Sequence, residues 1–395
     1  MRVYVVIYNL SIGGIFTFAQ NLVTNLRKKH KVDASIYVYI PESVALNKVL
    51  VQKSGIPVDT AYKNQTSIRF FNLYYNIVKA LFPKYDARSK TLNFFFKRNI
   101  KKKKITILHS NYQHCDSVCL RIAEESEIKV IITDHGSYRM TPLPKNRLDL
   151  MQIVASKSNA LIALTDKTQE NFSKHNIEVS QTLVFKKIYN GIDLSRLPNS
   201  SFQIDTIEPD DFVFGMLARG TKEKGWEIAI KAFELLKAKK PNQGIKLVLT
   251  GEGEYLQQLS RQYEKHSDII FTGATNKPLD IIQHYHVALF PSYLNVESMP
   301  FSIIEYLQCG KPVLASCIGS IEEMLSTDGQ LAGDVISLDQ LNAENLSRLM
   351  NLYLEDNSLV ENKSELSLKA VKKFDLNMIS KSYLDVYNLI NRSKR

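Results

Sequence analysis

At 395 residues and 45.1 kDa, with 44% hydrophobic and 23% charged residues, the chain is too long for one ordinary core and reads as a soluble protein of two domains. No apolar run approaches the roughly 20 residues of a bilayer span, and four cysteines, Cys115, Cys119, Cys309 and Cys317, without a CxxC pair exclude a disulfide scaffold and suit a reduced, cytosolic protein. The net charge of +11 is uneven: residues 1–192 carry 29 basic against 13 acidic side chains, and residues 193–395 carry 22 against 27.

The N-terminus, MRVYVVIYNLSIGG, is a short β-branched run that enters a Gly-Gly turn, so it predicts a buried first strand over Val3–Tyr8 rather than a signal peptide. After the turn, Phe18, Leu22 and Leu26, with Ala19 and Val23 beside them, mark the sheet-packing face of a helix. Gly13 and Gly14 would let backbone N–H groups approach a phosphate, although a purely conformational role fits them too. The turn lacks GxGxxG, which counts against a nicotinamide dinucleotide enzyme. Further strands are expected at Ser35–Ile40, Ile105–His109, Val130–Thr133, Leu161–Leu164 and Leu183–Ile188, alternating with amphipathic stretches as in a parallel, doubly wound sheet. Between the first and second of these, residues 69–104 hold eleven Lys and Arg against Asp86 alone, interleaved with nine Phe and Tyr. Thr133-Asp134-His135-Gly136 closes a strand. His135 could donate to a sugar hydroxyl or to charge developing at a glycosidic oxygen, and it is preferred over His109 because the glycine after it permits close approach.

Tyr189-Asn190-Gly191-Ile192-Asp193 supplies the turn chemistry of a hinge, and the polar residues 198–211 read as a linker. A second strand series follows at Phe212–Leu217, Lys246–Thr250, Ile269–Thr272, Val287–Pro291 and Pro312–Ser316. The boundaries are therefore 1–192 and 193–375, each a Rossmann-like α/β domain, with a helix over Leu376–Ile390. Arg219 and Lys224, in the loop after the first strand of this series, would bring two positive charges to a cleft between the domains. Arg suits one phosphate through its planar fork, and Lys the other as a point charge. Two such cations lessen the need for a metal ion. Gly251 and Thr272, at strand-end turns, could form a base pocket. Glu297 and Glu305 stand eight positions apart around Pro300, which is favoured in a helix's first turn. Glu297 would then lie before the helix and Glu305 one to two turns inside it. With the helix start, Ser298, Phe301 and Ser302 between them, they describe a site for hydroxyls at both ends and phosphate in the middle, as in a nucleotide diphosphate sugar. Solvated surface acids near a helix start would show the same spacing.

Taken in order, GMLARGTKEKG, VLTGEGEY, FTG, LFPS, ESMPFSIIE and CGKPVLAS resemble the retaining glycosyltransferases of family 4, which have the two-Rossmann GT-B fold; the Gly-Gly turn, ITDHG and YNGID extend the likeness more weakly over nearly the whole chain. The resemblance implies that Glu305 binds the nucleotide ribose, that Glu297 binds the donor sugar's hydroxyls, and that Arg219 and Lys224 neutralise the diphosphate. It also implies that Gly14 offers its amide to the phosphate, that His135 sits beside the transferred sugar, and that the last helix, 376–395, crosses back to the N-terminal domain. It implies a hexose-type donor, UDP- or GDP-linked, no cofactor and no metal. Where the family usually has glycine after the first Glu, this chain has Ser298, followed by Met299-Pro300, which leaves the donor sugar open.

The N-terminal domain of such enzymes usually meets the acceptor. The expectation is a saccharide acceptor, lipid-linked or of the lipopolysaccharide, capsule or O-antigen type, with residues 69–104 docking the protein on the anionic inner face of the cytoplasmic membrane and no nucleic-acid partner. A solvated helical face with its aromatics packed inward would also account for that segment. Two other readings use the same fold: a sugar-nucleotide epimerase or phosphorylase, and a basic membrane- or nucleic-acid-binding protein with an inactive site.

Overall fold

The computed structural model describes residues 1–10, 13–136, 138, 145–294 and 297–392. Ser11 and Ile12 of the first turn, Asn295 and Val296 before Glu297, and residues 393–395 of the expected last helix lie outside the described residues. The chain divides into two compact units, Met1–Asp193 with Leu376–Arg395, and Leu194–Asp375.

Among the described residues, the first unit contains one seven-stranded parallel sheet: β1 (Arg2–Ile7), β2 (Asp33–Val38), β3 (Val58–Asp59), β4 (Ile107–Ser110), β5 (Lys129–Asp134), β6 (Ala160–Ala163) and β7 (Val184–Lys187), in the order β3-β2-β1-β4-β5-β6-β7. β1, β2, β4, β5 and β6 are buried along nearly their whole length. That is why they read as apolar runs without alternation, since helices cover both faces of a parallel sheet. Helix α1 (Gly14–Lys28) buries Phe18, Ala19, Leu22, Val23 and Leu26. Between β3 and β4 come α2 (Gln65–Leu81), capped by Asn64, and α3 (Ala87–Lys103), capped by Asp86.

The second unit repeats the plan with β8 (Phe212–Leu217), β9 (Ile245–Thr250), β10 (Ile269–Gly273), β11 (Val287–Phe290), β12 (Val313–Ser316) and β15 (Gly333–Ile336), in the order β10-β9-β8-β11-β12-β15. A small hairpin, β13 (Ser326–Thr327) and β14 (Gln330–Leu331), precedes β15. The edge strands β3 and β15 and this hairpin were not expected from the sequence. In both units the strand order reverses beside the first strand, between β1 and β4 and between β8 and β11. Open α/β sheets bind ligands outside the carboxyl ends of the strands at such a point.

Helix α4 (Trp226–Lys239) follows β8, and α5 (Phe301–Gln308) follows β11. The final helix α6 (Leu376–Arg392) belongs to the first unit. It buries Ile379, Tyr383, Val386, Tyr387 and Ile390, and Asn25 on α1 donates to Asn377 at 3.2 Å. Its start is tied to the hinge, where the Leu376 N–H donates to the Ile192 carbonyl at 2.9 Å. The expected linker is docked rather than loose: the Asn199 N–H donates to Asp280 at 2.7 Å and Gln283 donates to the Asn199 carbonyl at 2.8 Å.

Candidate active site

In the second unit, the switch point brings together the loops that leave β8 and β11. The loop after β8 is held in shape by backbone bonds, with Ala218 N–H donating to the Thr250 carbonyl at 3.1 Å and Gly220 N–H to the Glu252 carbonyl at 2.7 Å. The indole of Trp226 donates to the Arg219 carbonyl at 3.1 Å. Gly225 has φ +82, and a Cβ there would lie 2.0 Å from the Pro291 carbonyl oxygen. Only glycine lets the turn Lys222–Lys224 settle against the loop after β11. There the Tyr293 N–H donates to the Glu223 carbonyl at 2.9 Å, and the Ser292 hydroxyl reaches the same carbonyl at 3.2 Å.

This docking buries Lys224, whose ammonium makes an ion pair and hydrogen bond with the buried carboxylate of Glu297. Ser292 donates to the same carboxylate oxygen at 3.1 Å, and the ammonium lies 5.5 Å from the centre of the Phe290 ring. Two groups expected to hold different parts of a ligand therefore hold each other. A buried pair of this kind is tolerated only while both charges are present. Arg219 is exposed and has no acidic partner among the described residues.

Pro300 is the cap residue just before α5, not a member of its first turn, with φ −68 and ψ 129. No side chain caps the helix start, so its first N–H groups have no side-chain acceptor from the cap residue. Ser298 is buried with its hydroxyl lacking a hydrogen-bond partner among the described residues. Phe301 is half-buried and Ser302 buried. Glu305 is the fifth residue of α5 and half-buried; burial of its carboxyl raises its pKa to about 7, with the Arg196 guanidinium opposing the rise. The next residue, Tyr306, is buried and clamps the end of β8, accepting from the Leu217 N–H at 2.6 Å and donating to its carbonyl at 3.2 Å.

Gly251 and Thr272 have structural employment. A Cβ on Gly251 would sit 2.1 Å from the Ala218 carbonyl oxygen, so packing of strand ends accounts for that glycine. Thr272 donates its hydroxyl proton to Thr250 at 2.9 Å, which leaves it acceptor capacity only.

In the first unit, Gly13 is extended, at φ 166, and among the described residues a Cβ on it would meet nothing within 4 Å. Neither strain nor packing requires glycine there. Gly14 is exposed as the first residue of α1, whose start carries no side-chain cap. His135 is half-buried at the end of β5, with Phe18 of α1 edge-on at 4.9 Å. Burial lowers its pKa to about 3, so the ring is neutral. Its Nε2 lies 3.1 Å from Asn111 Oδ1, while Asn111 Nδ2 donates to the His109 carbonyl at 2.9 Å. The amide orientation makes Nε2 the protonated nitrogen of His135 and leaves Nδ1 as an acceptor. His109 is fully buried between Tyr387, 2.7 Å from Nδ1, and Thr133, 2.7 Å from Nε2, and both nitrogens are committed to the core.

Ser292, Tyr306 and Asn111 escaped the sequence reading. Ser292 and Asn111 are polar residues just past a strand end that nothing local distinguishes from turn residues, and Tyr306 lies inside α5, where its hydroxyl's partner on β8 is 89 positions away. Among the described residues, no cluster of three or more His, Cys, Asp or Glu could hold a metal ion, and no helix is long and apolar enough to cross a membrane.

The family model for glycosyl transferases group 1 matches residues 199–370, and that for glycosyltransferase family 4 matches residues 12–196. The chain is 26% identical over 176 residues to the N,N'-diacetylbacillosaminyl-diphospho-undecaprenol alpha-1,3-N-acetylgalactosaminyltransferase of Campylobacter jejuni, covering 44% of each chain. It is 22% identical over 304 residues to a human phosphatidylinositol N-acetylglucosaminyltransferase subunit, covering 71% of this chain and 59% of that protein. The matched stretches thus span less than two thirds of either relative. Among solved structures, Anabaena HepE in complex with UDP and glucose superposes with a TM-score of 0.74 at 17% identity, covering 98% of this chain and all of the other. The pneumococcal O-GlcNAc transferase GtfA, in complex with UDP and GlcNAc, does so at 0.73 and 13% identity, covering 100% and 99%. These likenesses show the GT-B fold.

Proposed function

The chain belongs to glycosyltransferase family 4, and from that premise we propose that it moves a hexose-type sugar from a nucleotide diphosphate sugar to a saccharide acceptor, with retention at the anomeric carbon and without a metal ion. The acceptor is assigned to the lipid-linked, lipopolysaccharide, capsule or O-antigen class, and the nucleotide to UDP or GDP. The names of two relatives support a lipid-borne acceptor, one being a transferase of a diphospho-undecaprenol substrate and the other of phosphatidylinositol. UDP in two similar structures supports the donor class.

The observation that carries the reading is the buried Lys224–Glu297 pair at the switch point of the second unit. An ammonium and a carboxylate buried together cost more desolvation than an apolar pair of the same size, so a ligand that uses both accounts for keeping them. A diphosphate gives Lys224 a second anion to hold. Glu297, relieved of part of its partner, then accepts from the hydroxyls of the transferred sugar. Arg219 adds a planar donor fork to the same diphosphate, so charge growing on the departing nucleoside diphosphate meets two cations. Glu305 takes the ribose hydroxyls. In the first unit, the N-terminus of α1 at Gly13 and Gly14 offers N–H groups to an anion, and His135 Nδ1 accepts from a sugar hydroxyl.

A thermal-shift screen across nucleotide diphosphate sugars tests the donor class, because a ligand of the native state raises the apparent melting temperature by mass action. The responding donor, incubated alone in EDTA, should then slowly release nucleoside diphosphate. Formation of an epimer, or a strict need for a divalent ion, would refute this reading of the reaction.

A further inference from the structure

Helix α2 is apolar on the side that faces solvent as well as on the side that faces the core. Its inner side buries Tyr75 and half-buries Ile68 and Phe71, which packs on Tyr62 and Phe95 with ring centres 4.7 and 5.6 Å apart. Its outer side carries Phe70, Leu73, Tyr74, Ile77 and Leu81, exposed to between 39% and 67%. At 100° per residue these five fall within about 100° of the helix circumference, in a stripe roughly 16 Å long. The stripe contains no charge; Arg69 lies beside it on the helix surface and Lys84 in the turn beyond its end. Beyond its end, the turn into α3 exposes Phe82 and Tyr85, and α3 exposes Phe94, at 61%, 45% and 63%. A groove of about 350 Å³ between the two helices is lined by Phe71, Tyr74, Tyr85, Phe94 and Phe95, with the Lys90 ammonium 4.0 Å from the Tyr85 ring centre. Scattered exposed apolar residues need no explanation, but a continuous patch of this size is rare on a monomer that stands alone.

The geometry points to this face as the element by which the protein enters the surface of an anionic lipid bilayer, with the α2 stripe and the Phe82–Tyr85 turn among the acyl chains and the surrounding cations at the headgroups. The charge pattern selects lipid over a protein partner. Protein interfaces are depleted in Lys, whereas residues 69–104 hold eleven Lys and Arg, and their single acid, Asp86, caps α3 by accepting from the Ser89 N–H at 3.0 Å. Arg69 and Lys84 have no acidic partner among the described residues, so their charges are available to lipid phosphates. An apolar stripe rimmed by cations is the pattern of a helix lying in the membrane interface. To the docking expected of residues 69–104 the structure adds which apolar side chains face outward. Apolar insertion keeps part of the binding at high salt, where screening removes the electrostatic part. The inference is independent of the donor and of the reaction.

Flotation of the purified chain, without nucleotide sugar, on vesicles of phosphatidylglycerol and phosphatidylcholine tests it, against vesicles of phosphatidylcholine alone. Wild type should float with the anionic vesicles and keep a measurable bound fraction in 0.5 M salt. The F70S/L73S/I77S variant should bind at least tenfold more weakly at either salt, with its melting temperature unchanged because the three side chains are exposed. The R69E/K84E variant should lose binding chiefly at low salt. Wild type that stays with the pellet, or a triple variant that floats as well as wild type, overturns the proposal. So does a wild-type dimer in solution that the same three serines dissociate, which would make the face an interface between copies of this chain.

Discussion

The two units share one topology and handle charge in opposite ways. The second, acidic by sequence, buries a full ion pair at its switch point, Lys224 against Glu297, and raises the pKa of a third group, Glu305. The first, which holds the excess of Lys and Arg, keeps the two histidines at its strand ends neutral, burial holding both His109 and His135 near pKa 3, and its cations crowd α2, α3 and the loop between them. Net charge therefore does not locate chemistry. Charge that binds a small anion has to be desolvated and aimed, which takes a few well-placed groups, whereas charge that attracts a surface works from outside and in number.

The strongest way to break this contrast is Lys224→Ala. It leaves Glu297 buried without its cation, so we expect a loss of about 3–5 kcal/mol in unfolding free energy together with transfer slowed by two orders of magnitude or more. Urea unfolding and single-turnover kinetics read the two effects separately. If the ion pair serves stability alone, K224M/E297L should recover the stability and show that both were dispensable to donor binding, which would end the assignment of this pair to the donor.

His135→Ala tests the neutral half of the contrast. A group that positions the substrate through a hydrogen bond should cost on the order of 100-fold in kcat with the fold intact. Because its pKa is pushed to about 3, wild type should show no limb from this residue between pH 5 and 8. An imidazole titration near 6.5 in the kcat profile, absent from the variant, would contradict the buried, Nε2-protonated ring.

Glu305 gives the third, intermediate effect. Its native pKa of about 7 lies above the ordinary carboxylate range, so the native state binds more protons than the unfolded state between roughly pH 4.5 and 7. This group's contribution to stability is fully present below that window and is lost as pH rises through it. Glu305→Gln should therefore gain melting temperature relative to wild type at pH 8 compared with pH 5. Accepting ribose hydroxyls favours the ionised form, so affinity for a nucleotide diphosphate sugar should rise several-fold from pH 6 to pH 8 in wild type and stay flat in the glutamine variant. Titration calorimetry at the two pH values would show it, and equal pH profiles would remove Glu305 from the donor site.

The smallest effect belongs to Ser298→Gly. Removing a buried hydroxyl that lacks a partner should leave stability within about 1 kcal/mol. We expect the variant to change the ratio of kcat/KM between two sugar donors by a few-fold. An unchanged ratio would place Ser298 outside the sugar's reach.

Much of the frame was legible in the chain. Phe212–Leu217 was read to the residue, because a fully buried parallel strand is an uninterrupted apolar run with polar punctuation on either side. The edge strands β7 and β10 were expected, and the other two were missed: β3 is two residues, Val58 and Asp59, and β15 is Gly333–Ile336, too short for a run and lacking any alternation. Pro300 was expected inside the helix it precedes, since a fixed φ near −65° fits both positions and only ψ separates them. On α2 the sequence shows mixed Phe, Tyr and Leu, and either face could have been the inner one.

The sequence by itself determined most of the longer elements, and which polar and glycine residues their ends carry, because periodicity and turn chemistry act over a few neighbouring residues. Only the tertiary structure decided partnership. Lys224 and Glu297 are 73 positions apart, and they meet because β8 lies beside β11, paired through Phe214–Val287 and Gly215–Ala288, and because Gly225 lets the turn close on Pro291. The same holds for His135, whose tautomer is set by Asn111 from the neighbouring strand end, and for α2, whose aromatics split between core and solvent only once β3 and α3 are in place. Strand order and burial are long-range outcomes of packing, and they turned residues with several readings into residues with one set of neighbours.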